Sequence, residues 1–137
     1  MNTPPKVLII DDSHDTLDIL EIMLYKEFEI LTSLNGFDGL KKAEEESPDL
    51  IITDIMMPVM DGIRFFNNLK KQSKTAEIPV IAITSFLKKI TKRSLLNIGF
   101  DAVVSKPFER KAIIDAVNKA IQKKDSCQDA SVNGSES

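Results

Sequence analysis

The middle of the chain contains a short apolar run that ends on a carboxylate, Leu50-Ile51-Ile52-Thr53-Asp54, and continues as Ile55-Met56-Met57-Pro58-Val59-Met60-Asp61-Gly62. Short, nearly unbroken apolar runs bounded by turn-forming residues are typical of strands buried on both faces of a parallel sheet. The pattern therefore predicts a strand over Leu50–Thr53, with Asp54 at its carboxyl end.

Four further runs have the same character, and they lie on both sides of the first. They are Val7–Ile10, Phe28–Leu31, Ile78–Thr84 and Ala102–Val104. With the central run they give five predicted strands, each followed by enough chain to form a helix.

The segments between and after these runs carry apolar residues at helical spacing. The stripes are Leu17, Leu20 and Leu24; Phe37, Leu40 and Ala43; Ile63, Phe66 and Leu69; Leu87, Ile90 and Leu95; and Ile113, Val117 and Ile121. Residues that favour turns or helix caps stand where these helices would begin or end, at Ser13 (or Asp12), Asn35-Gly36, Ser47-Pro48 and Gly99. Because parallel neighbours need crossover connections, the alternation predicts a three-layer, doubly wound α/β domain.

Composition limits the classes of protein to which the chain can belong. Its 137 residues are one domain's worth, and 42% apolar with 28% charged residues is an ordinary globular balance. A net charge of −3 argues against nucleic acid as the main ligand, since phosphate binding requires a strongly basic face. The single cysteine, Cys127, cannot form an internal disulfide.

The two ends of the chain add expectations about location and domain extent. The first residues show no signal-peptide pattern, and no run approaches the roughly 20 apolar residues of a membrane helix, so we expect a cytoplasmic protein without a membrane partner. Residues 124–137 are polar and aperiodic, which predicts a disordered tail behind a domain at residues 1–123.

Polar side chains follow four of the predicted strands at the point where each strand ends. Asp11 and Asp12 follow the first strand, Asp54 the third, Thr84 the fourth and Lys106 the fifth. Parallel strands bring their carboxyl ends to one edge, where open α/β domains bind ligands. We therefore expect these side chains to lie together.

Their chemistry points to phosphoryl transfer assisted by a divalent cation. Three carboxylates at one edge repel each other, so at least one should have a raised pKa unless it is neutralised. Sites with few carboxylates and open positions suit Mg²⁺, and an ammonium with a hydroxyl can hold phosphoryl oxygens. Each residue alone has a structural explanation, as when an aspartate caps a helix; their convergence favours a functional site.

The motifs resemble the receiver domain of response regulators in two-component signalling (CheY-like), in chain order from residue 6 to about residue 123. The segments that carry the resemblance are Val7–Asp12, Pro48–Gly62, Pro79–Ser85 and Lys106-Pro107-Phe108. The resemblance implies a flavodoxin-like (βα)₅ fold whose five-stranded parallel sheet has the order 2-1-3-4-5.

The resemblance also implies roles for the residues at the strand ends. Asp54 would accept the phosphoryl group, and Mg²⁺, or Mn²⁺ in its place, would bind Asp12, Asp54 and the backbone carbonyl of Met56, with Asp11 acting largely through a bound water. Thr84 and Lys106 would bind phosphoryl oxygens, and the Lys106-Pro107 bond would be cis.

Partners and output follow from the same resemblance. The donor would be a sensor histidine kinase or a histidine phosphotransfer protein, and the chain would be a signalling phospho-acceptor rather than an enzyme. Movement of Thr84 and Lys106 toward the phosphate would shift the face formed by the fourth helix, fifth strand and fifth helix. A downstream protein would bind there, without direct contact to DNA.

One position departs from the family pattern, and two others bear on the lifetime of the phosphate. Val103 stands where receivers usually carry an aromatic residue, which puts the standard aromatic switch in doubt. Met56 and Phe86 are both apolar beside the expected phosphate, so we expect slow self-dephosphorylation.

His14 is interpreted as a solvated residue at a helix start. The basic stripe on the predicted fourth helix is interpreted as a solvated face that could also dock an acidic target; its members are Lys88, Lys89, Lys92 and Arg93.

Other interpretations of function fit the sequence less well. An aspartyl-nucleophile phosphatase of the haloacid-dehalogenase type needs a second acid where Met56 stands, and a flavin carrier would have its phosphate repelled by Asp11 and Asp12. A degenerate receiver would lack the complete set of acidic, hydroxyl and ammonium groups. The Met1 start and the tail favour a stand-alone receiver over a module cut from a hybrid kinase or multidomain regulator, which stays open.

Overall fold

The computed structural model describes residues 3–85 and 92–122. The strands are β1 (Lys6–Ile10), β2 (Glu29–Ser33), β3 (Leu50–Asp54), β4 (Val80–Thr84) and β5 (Ala102–Ser105). The helices are α1 (His14–Leu24), α2 (Gly36–Glu46), α3 (Gly62–Lys71), α4 (Lys92–Ile98) and α5 (residues 110–122).

All five strands form one parallel sheet in the order β2-β1-β3-β4-β5, which confirms the expected fold. The register pairs Ile10 with both Ser33 and Thr53, Asp54 with Ile83, and Thr84 with Ser105. The carboxyl ends of the strands therefore meet at the same edge, which brings together the last residues of β3 and β4 and the residues that follow β1 and β5.

Helices cover both faces of the sheet, and the strands are apolar on both sides for that reason. In β1, Leu8 and Ile10 pack toward α2 and α3, whereas Val7 and Ile9 pack toward α1 and α5. Every residue of β3 and β4 is buried. The central strands thus need continuous apolar runs, and the predicted strand type is confirmed there.

Capping side chains define where three helices begin. Ser13 Oγ accepts the amide hydrogen of Thr16 at α1, Asn35 Oδ1 that of Asp38 at α2, and Asp61 Oδ1 that of Arg64 at α3. Gly99, at φ +130°, follows the end of α4, as its predicted capping role requires. Such N-caps satisfy amide groups that have no partner inside the helix.

The second predicted strand was wrong at both ends, and the fourth was wrong at its start. The second was predicted over Phe28–Leu31 but runs over Glu29–Ser33, because the Phe28 amide donates to Leu24 O in the turn after α1. It is also an edge strand with an exposed or half-buried surface rather than one buried on both faces. The fourth begins at Val80 rather than Ile78, whose amide closes a turn onto Thr75 O.

The predicted apolar stripe of α2 was wrong at its first residue. Phe37 is exposed, and the helix buries Gly36, Gly39 and Ala43 instead. The two glycines bring the helix backbone close to its neighbours: a Cβ added at Gly39 would lie 2.5 Å from Ile10 Cδ1. Close packing through glycine therefore turns the buried face away from Phe37.

Some predictions concern residues outside the described ranges. These residues are Phe86, Leu87, Lys88, Lys89, Ile90 and the segment 124–137 that includes Cys127. The described residues include no helix with the length and apolar character needed to cross a membrane.

Candidate functional site

The carboxylates of Asp11, Asp12 and Asp54 converge at the carboxyl edge of the sheet. One oxygen from each lies within 4.8 Å of the others. Asp11 and Asp54 are buried, and Asp12 is exposed. The cluster therefore has two fixed carboxylates on its inner side and a third that faces solvent.

Asp11 is held on both of its carboxylate oxygens. The amide of Ser13 donates to Oδ1 at 2.9 Å, and the ammonium of Lys106 donates to Oδ2 at 3.0 Å. The backbone amide of Asp11 also donates to Ser33 O. The start of α1 therefore fixes the orientation of this buried carboxylate, a contact that the capping pattern alone did not reveal.

Lys106 connects the two buried carboxylates. Its Nζ lies 3.0 Å from Asp11 Oδ2 and 3.4 Å from Asp54 Oδ2, and the Lys106-Pro107 peptide bond is cis, as expected. Burial alone would lower the pKa of Lys106, but the hydrogen bond to Asp11 and the negative charges of Asp54 and Asp11 raise it overall. Lys106 is therefore a cation within the cluster.

Asp54 has the raised pKa expected for one member of the acidic cluster, although burial contributes more to the rise than the neighbouring charge. Burial raises its pKa to about 6, the charge of Asp11 adds to the rise, and Lys106 and the Met56 amide oppose it. A carboxylate that water does not solvate fully can act as a nucleophile or a ligand once a cation compensates its charge.

Thr84 and Met56 lie where the strand ends place them. Thr84 is the buried last residue of β4, and the amide of Lys106 donates to its carbonyl at 2.8 Å. Met56 follows Asp54 by two residues, and its side chain is exposed. Both predicted residues thus belong to the edge that carries the acidic cluster.

The loop between β3 and α3 folds tightly against Asp54. The Gly62 amide donates to Ile55 O, and a Cβ added at Gly62 would come within 2.4 Å of Asp54 O. Only glycine permits this approach, so Gly62 lets the loop pack directly against the backbone of Asp54. Val59 in the same loop has φ +69°, an unusual conformation for a β-branched residue that the sequence pattern did not predict.

The remaining candidates have ordinary surroundings. His14 is exposed at the first position of α1 and is not part of the acidic cluster. Val103 is buried in the core formed with α3 and α4, which agrees with a packing role. Lys92 and Arg93 are exposed on α4.

The donor set fits a hard divalent cation. All three side chains offer carboxylate oxygens, and the exposed Asp12 leaves one side open to water or a phosphoryl oxygen. Burial is the main cause of the raised pKa of Asp54, and a cation here would offset the charge of Asp11 that adds to it. The residues present therefore agree with the expected metal type.

Comparisons with known proteins place the chain in a family. Residues 7–118 match the family model of the response regulator receiver domain. The chain is 32% identical over 114 residues to an uncharacterized 14.6 kDa protein of Leptolyngbya boryana, covering 82% of this chain and 87% of that protein. It is also 32% identical over 109 residues to the alkaline phosphatase synthesis transcriptional regulatory protein PhoP of Bacillus subtilis. That match covers 79% of this chain but only 45% of PhoP.

Solved structures agree with this assignment. The chemotaxis protein CheY4 of Vibrio cholerae superposes with a TM-score of 0.79 at 27% identity, covering 86% of this chain and 99% of the other. The sheet order, the acidic cluster and the family match point the same way. The chain belongs to the response-regulator receiver domains of two-component systems.

Proposed function

We propose that Asp54 accepts a phosphoryl group from a phosphohistidine on a sensor histidine kinase or a histidine phosphotransfer protein. A carboxylate oxygen of Asp54 forms a bond to phosphorus while the bond from phosphorus to the imidazole nitrogen breaks, and the histidine leaves with the bonding electron pair. The observation that carries the proposal is the position of Asp54, buried beside Asp11 and 3.4 Å from Lys106 Nζ.

Asp11, Asp12, Asp54 and the backbone carbonyl of Met56 are the proposed holders of Mg²⁺, with Mn²⁺ as a substitute. Support comes from the convergence of the three carboxylates within 4.8 Å. When bound, the ion neutralises charge on the carboxylates and on the phosphoryl oxygens. Asp11 is already held by Ser13 and Lys106, which agrees with a role through water.

Lys106 and Thr84 are the proposed partners of the phosphoryl oxygens. Lys106 already lies within reach of Asp54, so its ammonium can exchange a carboxylate oxygen for a phosphoryl oxygen with little movement. Thr84 stands at the end of the neighbouring strand and offers a hydroxyl. The phosphoryl group adds about −1.5 to −2 charges at neutral pH, which draws both groups toward it.

The output surface in this proposal is the face formed by α4, β5 and α5. An open groove there is lined by Leu96 on α4, Val104 on β5 and Ala112 and Ala116 on α5. With Val103 in place of an aromatic residue, the movement of Thr84 would reach this face through packing against the core rather than through a swinging ring. A downstream protein is the proposed reader; a chain that serves as one module of a larger regulator is the alternative.

Phosphotransfer from a panel of phosphorylated histidine kinases in the presence of Mg²⁺ tests the proposal. The wild-type chain should take up label that is labile in alkali, and Asp54→Asn should take up none. Asp49→Asn is the matched control. Asp49 directly precedes β3, at the end of the strand far from Asp54, and its side chain accepts a hydrogen bond from the backbone amide of Lys6. Label that persists in Asp54→Asn would contradict the assignment of the acceptor.

A further inference from the structure

Ser33 is the last residue of β2 and the only residue of that strand that is buried. It is 3% exposed, whereas the four residues before it are exposed or half-buried. Its neighbour in β1, Ile10, packs in the apolar core. A buried hydroxyl costs free energy unless it forms a hydrogen bond, and alanine would fill the position without that requirement. The serine therefore calls for an explanation other than packing.

The hydroxyl of Ser33 joins β2 to α2 through Asp38. Ser33 Oγ donates to Asp38 Oδ2 at 2.7 Å, a shorter contact than the 3.0 Å to Asn35 O and one made to a charged acceptor. This hydrogen bond is the main cause of the lowered pKa of Asp38. Lys42, one turn further along α2, lies 3.1 Å from the same carboxylate oxygen and donates to Thr32 O. Two side chains of α2 thus hold the last two residues of β2.

The start of α2 does not depend on the bond between Ser33 and Asp38. Asn35 Oδ1 already accepts the Asp38 amide and caps the helix. By contrast, β2 is an edge strand with a neighbouring strand on one side only, and the ends of such strands open most easily. The contacts from α2 therefore stabilise the end of the strand rather than the start of the helix.

The backbone of Ser33 connects this end of β2 to the acidic cluster. Its carbonyl accepts the backbone amide of Asp11 at 3.1 Å. The carboxylate of Asp11 is held separately, by the Ser13 amide and by the ammonium of Lys106. Groups that hold a metal-binding residue from behind commonly set its orientation and the affinity for the metal. A continuous series of hydrogen bonds thus runs from Asp38 through Ser33 to Asp11.

We propose that Ser33 is a positioning residue for the acidic cluster: its hydroxyl fixes the end of β2 on Asp38, and its carbonyl thereby fixes the backbone of Asp11. This inference rests on the proposed function, since the cluster is the proposed site of Mg²⁺. Ser33 acts through Asp11 and contacts neither the ion nor the phosphoryl group. Loss of its hydroxyl should loosen the Asp11 amide and weaken Mg²⁺ binding while the chain still folds.

A double-mutant cycle between Ser33→Ala and Asp38→Ala tests the inference. The dissociation constant for Mg²⁺ is obtained from titrations followed by amide NMR spectra, and hydrogen exchange of the Asp11 amide is measured in metal-free protein. Glu45→Ala is the matched control for Asp38, because it removes an exposed carboxylate from the same helix. Thr75→Ala is the matched control for Ser33, because it removes a buried hydroxyl beyond the carboxyl end of α3.

Ser33→Ala and Asp38→Ala should each raise the dissociation constant for Mg²⁺ at least about fivefold and speed exchange of the Asp11 amide. The double variant should show no further change, and both controls should bind Mg²⁺ like the wild type. Labelling by phosphoramidate, a small phosphoryl donor, should be slow in Ser33→Ala at limiting Mg²⁺ and should recover at saturating Mg²⁺. A merely structural role for Ser33 would lower stability without this dependence on Mg²⁺.

Wild-type affinity for Mg²⁺ in Ser33→Ala or in Asp38→Ala would overturn the inference, and so would effects that add fully in the double variant. An equal loss of affinity in Thr75→Ala would overturn it too, because any loss of stability would then suffice. A wild-type chain that neither binds Mg²⁺ nor takes label from phosphoramidate would instead refute the proposed function, and the inference with it.

Discussion

The carboxyl group of Asp54 links the chemistry of the site to the stability of the fold. Its pKa is raised from the ordinary value of 3.8 to about 6, first by burial and then by the charge of Asp11. Between these two values the folded chain binds a proton that the unfolded chain has released. The free energy of unfolding should therefore fall as pH rises from about 4 to about 6, and stay lower above that range.

Asp54→Asn removes this dependence, which gives a direct prediction. Without divalent cations, the variant should gain stability relative to the wild type between pH 4 and pH 7, by an amount on the order of 2 kcal/mol. Urea unfolding of both proteins at several pH values measures the difference, and the contributions of other titrating groups largely cancel. A difference that stays constant with pH would show that Asp54 titrates as an ordinary surface carboxyl.

Met56 should lengthen the lifetime of the phosphorylated state. Its exposed thioether stands two residues from Asp54 and cannot orient a water molecule for attack on the acyl phosphate. Met56→Asn supplies an amide at this position and should speed phosphate release by about tenfold, which equals about 1.4 kcal/mol in the barrier. Release from the phosphoramidate-labelled protein measures it, with Met56→Leu as the apolar control; equal rates for all three would contradict the prediction.

At the residue scale, the sequence allowed the meeting of the site residues to be predicted but not their pairing. Strand direction alone places Asp11, Asp54 and Lys106 at one edge, and the structure brings them into contact. The bond from the Ser13 amide to Asp11 depends on the exact path of the chain from β1 into α1. No apolar periodicity encodes that path, so the sequence could not reveal it.

At the scale of elements, burial on both sides made the central strands easy to predict. β3 and β4 are continuous apolar runs because helices cover both faces of the sheet. The predicted bounds of β2 were wrong at both ends because an edge strand carries a weaker apolar signal. In α2, close packing at Gly39 left Phe37 exposed. A search for apolar side chains at helical spacing does not register glycine, so it could not identify the buried face of this helix.

Helix α3 should depend on the glycine at its first residue. In Gly62→Ala the new methyl would meet Asp54 O at 2.4 Å and Ile55 Cα at 2.8 Å, both backbone atoms that cannot rotate away. We expect a loss of about 3 kcal/mol in the free energy of unfolding together with slower labelling of Asp54, because the overpacked loop must shift. Urea unfolding and phosphoramidate labelling measure the two effects.

Gly39→Ala provides the comparison within a neighbouring helix. Its methyl would meet Ile10 Cδ1 at 2.5 Å, which is the end of a side chain that can change rotamer, and alanine favours the helix. The loss should be about 1 kcal/mol, without an effect on labelling. If Gly62→Ala proved as mild as Gly39→Ala, the loop would be free to adjust, and its proposed role in positioning Asp54 would fail.

At the scale of the whole molecule, the fold concentrates negative charge at one place while the chain as a whole is close to neutral. The net charge is −3, with 18 basic and 21 acidic residues, yet three carboxylates share the edge where β1 and β3 end. Lys106 contacts two of the three carboxylates and so offsets only part of this negative charge. The folded chain therefore carries a local repulsion that the unfolded chain lacks.

A divalent cation should relieve that repulsion and stabilise the entire domain, since the cluster exists only in the folded chain. At a Mg²⁺ concentration 100-fold above the dissociation constant, linkage predicts a gain of about 2.7 kcal/mol in the free energy of unfolding. Thermal unfolding at constant ionic strength, with NaCl replacing MgCl₂, separates binding from general screening. Asp12→Asn keeps the buried Asp11–Lys106 pair and removes one proposed ligand, so most of the gain should disappear in that variant. Equal stabilisation of both proteins by Mg²⁺ would place the ion elsewhere on the surface and would separate the acidic cluster from metal binding.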